Sequence, residues 1–152
     1  MFFIVIALVF LVDQLSKAAV QMLMYLGESI PVLPPVFYLT YIMNPGAAFG
    51  LLAYQTHIFV AVTLLLVAGV LLGYRHLPVD KPVFRYGLSL VVGGALGNLV
   101  DRLRFGRVVD FLDFRVWPVF NLADTAIVIG ACLLVWELLR DSGKKPEKER
   151  GI

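Results

Sequence analysis

Four long apolar stretches set the pattern of the chain, separated by polar or proline-broken connections. The first runs from about Phe2 to Leu26, and its opening ten residues carry no polar side chain. The others run from about Ile58 to Leu77, from Tyr86 to Leu103 and from Phe120 to Leu139. A helix needs about 20 apolar residues to cross a bilayer, so each stretch is predicted to be a spanning helix. Residues 28–56 break the pattern. Pro31, Pro34, Pro35 and Pro45 interrupt helices. Val36 to Met43 is rich in aromatic and β-branched residues and reads as a strand, ended by the turn signal Asn44-Pro45-Gly46. The segment has no Lys or Arg and is too apolar for a solvated linker, which predicts a small strand-rich element lying on the membrane surface. Arg104 to Val119 also alternates like a strand. Gly69 and Gly73, and again Gly93 and Gly97, have the small-xxx-small spacing that favours close helix packing.

Composition supports a bilayer as the natural solvent. The chain of 152 residues is 60% hydrophobic with a mean hydropathy of +0.86, against roughly 45–50% apolar residues in soluble domains. The first apolar stretch outlasts a signal-peptide core and lacks an A-x-A cleavage site. A net charge of +2 gives no reason to expect nucleic acid as a partner. Cys132 is the one cysteine, so no intrachain disulfide can form. His57 and His76 are far apart and there is no HExxH, which argues against a metal site. The GGALGN run lacks the GxGxxG spacing and lies in a span, so it reads as packing glycine rather than a dinucleotide loop.

Charge sets the expected topology. The second connection holds Arg75, Lys81 and Arg85, and the tail from Arg140 holds five Lys or Arg, whereas the first connection has none and the third holds Arg104, Arg107 and Arg115 with Asp110 and Asp113 among them. Basic residues stay on the cytoplasmic side, so both termini and the second connection are expected there. The first and third connections then converge on the outer face. Residues 1–140 read as a single membrane-embedded unit and 141–152 as a charged, disordered cytoplasmic tail.

The chemistry lies between Gly93 and Asp124, which holds Asp101, Asp110, Asp113 and Asp124. Acids at the mouth of a membrane bundle are expensive, which makes each a functional hypothesis. Two carboxyl groups held close together keep one proton between them near neutrality. The ionised member can then take a proton from water while the other protonates a carbonyl oxygen. Spacing alone leaves open which two pair. Ser89 and Cys132 sit in apolar runs with no histidine partner, which disfavours nucleophilic catalysis. Asp13 and Lys17 are one helical turn apart and can form an ion pair that either locks packing or positions a site. Asn98, Asp101 and Arg102 are expected on one face at the end of the third span, and Asn121 and Asp124 one turn apart in the fourth. Asp113 reads as a solvated loop charge.

Five blocks, DQLSK (13–17), NPGAAFG (44–50), GGALGNLVDR (93–102), VVDF (108–111) and FNLADT (120–125), resemble in order the signatures of the lipoprotein signal peptidase family, also called signal peptidase II. One departure is Thr125, where the family usually has serine. The resemblance implies an all-α integral membrane protein of four transmembrane helices with a small extracytoplasmic β-cradle. It also implies an aspartic endopeptidase of the bacterial inner membrane, cutting prolipoproteins before a diacylglyceryl-modified cysteine. By motif, Asp110 and Asp124 become the catalytic pair. Asp101 becomes a supporting acid held by Arg102 or another neighbour, and Asn44, Asn98, Arg102, Asn121, Asp13 and Lys17 bind substrate or support the pair. The reading expects no metal or cofactor, a monomer, lipidated prolipoprotein and membrane lipid as partners, and inhibition by globomycin-type lipopeptides. Two other classes explain intramembrane acids. An ion or proton transporter would show inverted repeats, and none is visible. A non-catalytic scaffold would tolerate amide replacement of the acids.

Overall fold

The computed structural model describes residues 1–46 and 53–142. Residues 47–50 of the NPGAAFG block and nearly all of the expected disordered tail, 143–152, lie outside the described residues. Among the described residues there are four α-helices: α1 (Phe2–Leu23), α2 (Thr56–Gly73), α3 (Pro82–Phe105) and α4 (Leu122–Ser142). All four are long and apolar enough to cross a membrane. Three short strands, β1 (Ser29–Leu33), β2 (Phe37–Asn44) and β3 (Val108–Asp113), form one antiparallel sheet in that order. The four spans and the small sheet match the expected architecture.

Helix α3 is the centre of the bundle. Over half of its most apolar stretch is buried (56%), against 11–22% for the other three. It packs chiefly on α4 and α1, and its small residues allow this. A Cβ at Gly94 would meet the carbonyl oxygen of Ala123, and one at Gly93 would come within 3.0 Å of the Ile6 carbonyl oxygen. Gly97 lies against the Asp13 carboxylate in the same way. The expectation for Gly93 and Gly97 therefore holds. That for Gly69 and Gly73 does not: among the described residues, no atom lies within 4 Å of where their Cβ atoms would be. The face of α2 that carries them is unpacked, so their spacing reports nothing about helix contact. Around the bundle, α1, α2 and α4 expose large apolar side chains such as Leu65 (73%) and Leu72 (85%), a surface suited to lipid rather than water.

Pro82 starts α3 at a position where its missing N–H is no loss. The helix thus begins four residues before the expected span, inside the second connection. Gly106 ends it in the left-handed region (φ 68°), donating its N–H to the Arg102 carbonyl, and turns the chain directly into β3. The sheet covers the end of the bundle where α1 and α3 finish. There Val20 of α1 and Met24 just after it pack with Val109 and Phe111 of β3, and Leu39 and Met43 of β2 close over them. A second apolar cluster, of Phe2, Val70, Leu88 and Val92, holds the opposite end.

Candidate active site

Two elements deliver the two candidate acids. Asp110 lies on β3, opposite Ile42 of β2 in the sheet register. The strand is fixed to α3 by its own backbone, because the Val109 N–H donates to Asp101 Oδ2 (3.1 Å). Asp124 sits in the first turn of α4. Asn121 caps that helix: its Oδ1 accepts the Asp124 N–H (2.9 Å), and Asp124 Oδ2 faces the Asn121 N–H at 3.4 Å. This reciprocal arrangement holds the first turn in register. A third cap comes from α1, where Asp13 Oδ1 accepts the Ala123 N–H (2.9 Å).

Amide side chains aim both carboxylates. Asp110 accepts from Asn44 Nδ2 (2.8 Å) on one oxygen and from Asn121 Nδ2 (2.6 Å) on the other. Asp124 Oδ1 accepts from Asn98 Nδ2 (2.8 Å). Asn121 Nδ2 also reaches Asn98 Oδ1 (3.1 Å), so one amide bonds Asp110 and the partner of Asp124. Burial, and next the charge of Asp124, push the Asp110 carboxyl up to about 7, against the opposing pull of the Asn44 and Asn121 hydrogen bonds. A carboxyl titrating there exchanges its proton near neutral pH, as acid–base work requires.

Behind the amides lies a buried charge cluster. Lys17 Nζ bonds Asp13 Oδ2 (2.9 Å), Asp101 Oδ2 (3.0 Å) and Asn98 Oδ1 (2.9 Å). Its three protons are thereby satisfied. The expected Asp13–Lys17 pair exists, and it is one edge of a larger network. That network runs from Lys17 through Asn98 to Asp124, which joins the locking and positioning readings in one structure. The neighbour that holds Asp101 is Lys17, helped by Gln14 Nε2 at 3.2 Å, and not Arg102.

The three α3 residues expected on one face divide between two sides. Asp101 turns towards α1, whereas Asn98 and Arg102 line a cavity of about 440 Å³. The Arg102 guanidinium lies over the Phe59 ring, 4.4 Å from its centroid. Both candidate acids and Asn44 open on the same cavity, and from them it extends down α3 to Ala95 and Val91. Val91 is seven residues from Asn98, about 10 Å along a helix. Asp113 departs from expectation most clearly. It is buried (5% exposed), accepting from Thr40 Oγ1 (2.6 Å) and from the Arg115 N–H (2.8 Å). Burial pushes its carboxyl up, yet the bonds from Thr40 and Arg115, with the charge of Arg115, outweigh this and leave it below the ordinary carboxylate range. The residue was misread because pairing of β3 with β2 is not visible in the local pattern. Gln14 and Phe59 escaped notice as well. An amide inside an apolar run was the available signal for Gln14; Phe59 gave none.

The family model for signal peptidase (SPase) II matches residues 5–140. The chain belongs to the signal peptidase II family. Membership implies a protease that removes signal peptides from prolipoproteins, and the four apolar helices make this signal peptidase an integral membrane protein. The lipoprotein signal peptidase of Pelotomaculum thermopropionicum is 70% identical over 148 residues, covering 97% of both chains. That of Moorella thermoacetica is 55% identical over 144 residues, covering 95% of this chain and 96% of its own. A solved bacterial membrane enzyme shares the fold with a TM-score of 0.89 at 31% identity, covering 99% of this chain and 94% of that one.

Proposed function

We propose that this signal peptidase II is an aspartic endopeptidase, that Asp110 and Asp124 activate water, and that it cuts lipidated prolipoproteins before their diacylglyceryl cysteine. The observation that carries this reading is the convergence of the two acids. They come from different elements, are oriented by shared amides, and open on one cavity, with Asp110 titrating near neutrality.

The chemistry then follows from the pair. The ionised carboxylate removes a proton from a water held between the acids as the water oxygen bonds to the scissile carbonyl carbon. The protonated carboxyl gives its proton to the carbonyl oxygen, forming a neutral tetrahedral diol. A proton passes to the amide nitrogen as the carbon–nitrogen bond breaks. Asn44, Asn98 and Asn121 keep the carboxyl oxygens aimed throughout. Arg102 faces the cavity and supplies N–H donors for substrate carbonyls, while Asp13, Lys17 and Asp101 fix the scaffold behind it.

The cavity also supports entry from lipid. Its walls are Phe59, Val62 and Leu66 of α2 and Ile127 and Val128 of α4, over a floor of α3. A signal-peptide helix enters sideways, its acyl chains stay in the bilayer, and the cut is placed at the acids. Hydrocarbon burial is worth about 0.8 kcal/mol per methylene, and the same anchor fixes the depth of the bond to be cut. The distribution of Lys and Arg supports termini in the bacterial cytoplasm and acids at the outer leaflet of the inner membrane; residues 1–140 act in this reading as one monomeric unit. A globomycin-type lipopeptide then blocks the site by setting a hydroxyl between the acids.

A processing assay with purified enzyme in detergent tests this reading. Lipidated prolipoprotein should be cleaved by the wild type and not by Asp110→Asn or Asp124→Asn. The unlipidated precursor should be processed poorly or not at all. An active Asp124→Asn enzyme would remove the dyad, and equal cleavage of both precursors would remove the lipid requirement.

A further inference from the structure

Of the Ser and Thr side chains on the described helices, Thr63 alone has no hydrogen bond among the described residues. Ser16, Ser89, Thr125 and Ser142 each bond a backbone carbonyl of their own helix. Thr56 bonds the Gly106 carbonyl. This is the usual fate of a hydroxyl where water is scarce. Thr63 is buried (8% exposed), lines the cavity, and has no partner among the described residues.

Its depth places it opposite the acids. One turn towards the sheet end, Phe59 holds the Arg102 guanidinium. One turn the other way, Leu66 packs in the same apolar cluster as Leu96. Thr63 is therefore level with the turn of α3 between Leu96 and Arg102, which carries Asn98, and Asn98 holds Asp124. Thr63 and the carboxylates stand on facing walls of one cavity.

A peptide bond is hydrolysed in extended chain, so a substrate helix entering the cavity must unwind at the cut. Unwinding frees backbone carbonyls that the helix had paired, and in hydrocarbon each needs a donor. The amides beside the acids each give an N–H to a carboxylate: Asn44 and Asn121 to Asp110, and Asn98 to Asp124. On the α2 wall at that depth, the Thr63 hydroxyl is a donor with no partner among the described residues.

We propose that Thr63 is a substrate-binding residue whose hydroxyl donates a hydrogen bond to a main-chain carbonyl of the unwound substrate beside the cut. The proposal rests on the peptidase reading above. Two pairs of variants isolate the hydroxyl: wild type against Thr63→Val, and Thr63→Ser against Thr63→Ala. Each pair differs by a hydroxyl at nearly constant shape. In detergent with lipidated prolipoprotein, losing the hydroxyl should lower kcat/KM by about five- to tenfold in both pairs. Thermal midpoints within each pair should agree, since the hydroxyl has no partner among the described residues. Equal kcat/KM within both pairs would overturn the proposal, as would a loss that follows the thermal midpoint instead of the hydroxyl. Asp124→Asn runs in parallel. If it processes substrate like the wild type, the peptidase reading has failed, whatever Thr63 does.

Discussion

Replacing Lys17 by Met keeps the length and apolar stem of the side chain and deletes its charge. Lys17 is 2% exposed, and its ammonium lies 2.9–3.0 Å from Asp13, Asp101 and Asn98. The variant leaves two carboxylates enclosed without their cation. Asn98 Oδ1 loses less, because Asn121 Nδ2 still reaches it. Breaking a buried ion pair from one side costs about 3–5 kcal/mol. For a chain of this size that corresponds to a fall in thermal midpoint of roughly 6–20 °C. The loss belongs to the stranded acids and not to a missing attraction, and that distinction can be tested. The triple variant Asp13→Asn/Lys17→Met/Asp101→Asn removes all three charges and keeps an acceptor for the Ala123 N–H. It should be more stable than Lys17→Met alone, despite carrying two further substitutions. Thermal unfolding of the purified proteins in one detergent, followed by tryptophan fluorescence, gives the order directly. A Lys17→Met midpoint within about 2 °C of wild type, or a triple variant well below the single one, would refute the reasoning.

Four other outcomes are expected. The Asp110 carboxyl is raised from its ordinary 3.8 to about 7, so the folded state holds its proton more tightly than the unfolded chain, and this contribution to stability is lost as pH rises through that window; the thermal midpoint of Asp110→Asn relative to wild type should therefore climb between pH 4 and pH 7, and a flat difference would remove the assigned shift. Asp113 lies below its ordinary range, so its contribution is present above that range and fades in acid; Asp113→Asn should lower the midpoint at pH 7, by about 1 kcal/mol in stability, with processing retained. Gly94→Ala drives a methyl into the Ala123 carbonyl beside Asp124, and should destabilise by about 1–3 kcal/mol and lower turnover, measured by unfolding and processing together. Reporter fusions at Leu33 and at Pro78 should report opposite sides of the membrane, and a shared side would refute the topology.

The spans were legible because a bilayer writes a long, simple signal. Stretches read at 2–26 and 120–139 became Phe2–Leu23 and Leu122–Ser142. The strand read at Val36–Met43 became Phe37–Asn44 for a similar reason, since its β-branched and aromatic run is local. Pairing was not legible. β1 hides among prolines and is recognisable only by its register with β2, Ser29 opposite Thr40. Asp113 became buried through the same kind of non-local contact. The site blocks named Asp13, Lys17, Asn98, Asp101 and Asn121. They could not say that Asp101 turns to Lys17 and away from Arg102, because faces of a helix are assigned by what packs there. Gly69 and Gly73 share the spacing of Gly93 and Gly97, and only the second pair met a neighbour.

The position of Asp13 bears on the order in which the protein can be built. Its bond to the Ala123 N–H joins residues 110 apart, so the start of α4 stays incomplete until the last helix has docked on the first. Its bond to Lys17 needs only one turn of α1. During synthesis the first helix enters lipid before its later partners exist, and a lone charge there is expensive. The i,i+4 pair is available from the moment α1 forms, so the two charges travel as a neutral unit. Asp101 and Asn98 reach Lys17 only with α3, and the Ala123 N–H reaches Asp13 only with α4. One buried pair thus serves first as a passport into the bilayer and later as the foundation on which the last helix is seated.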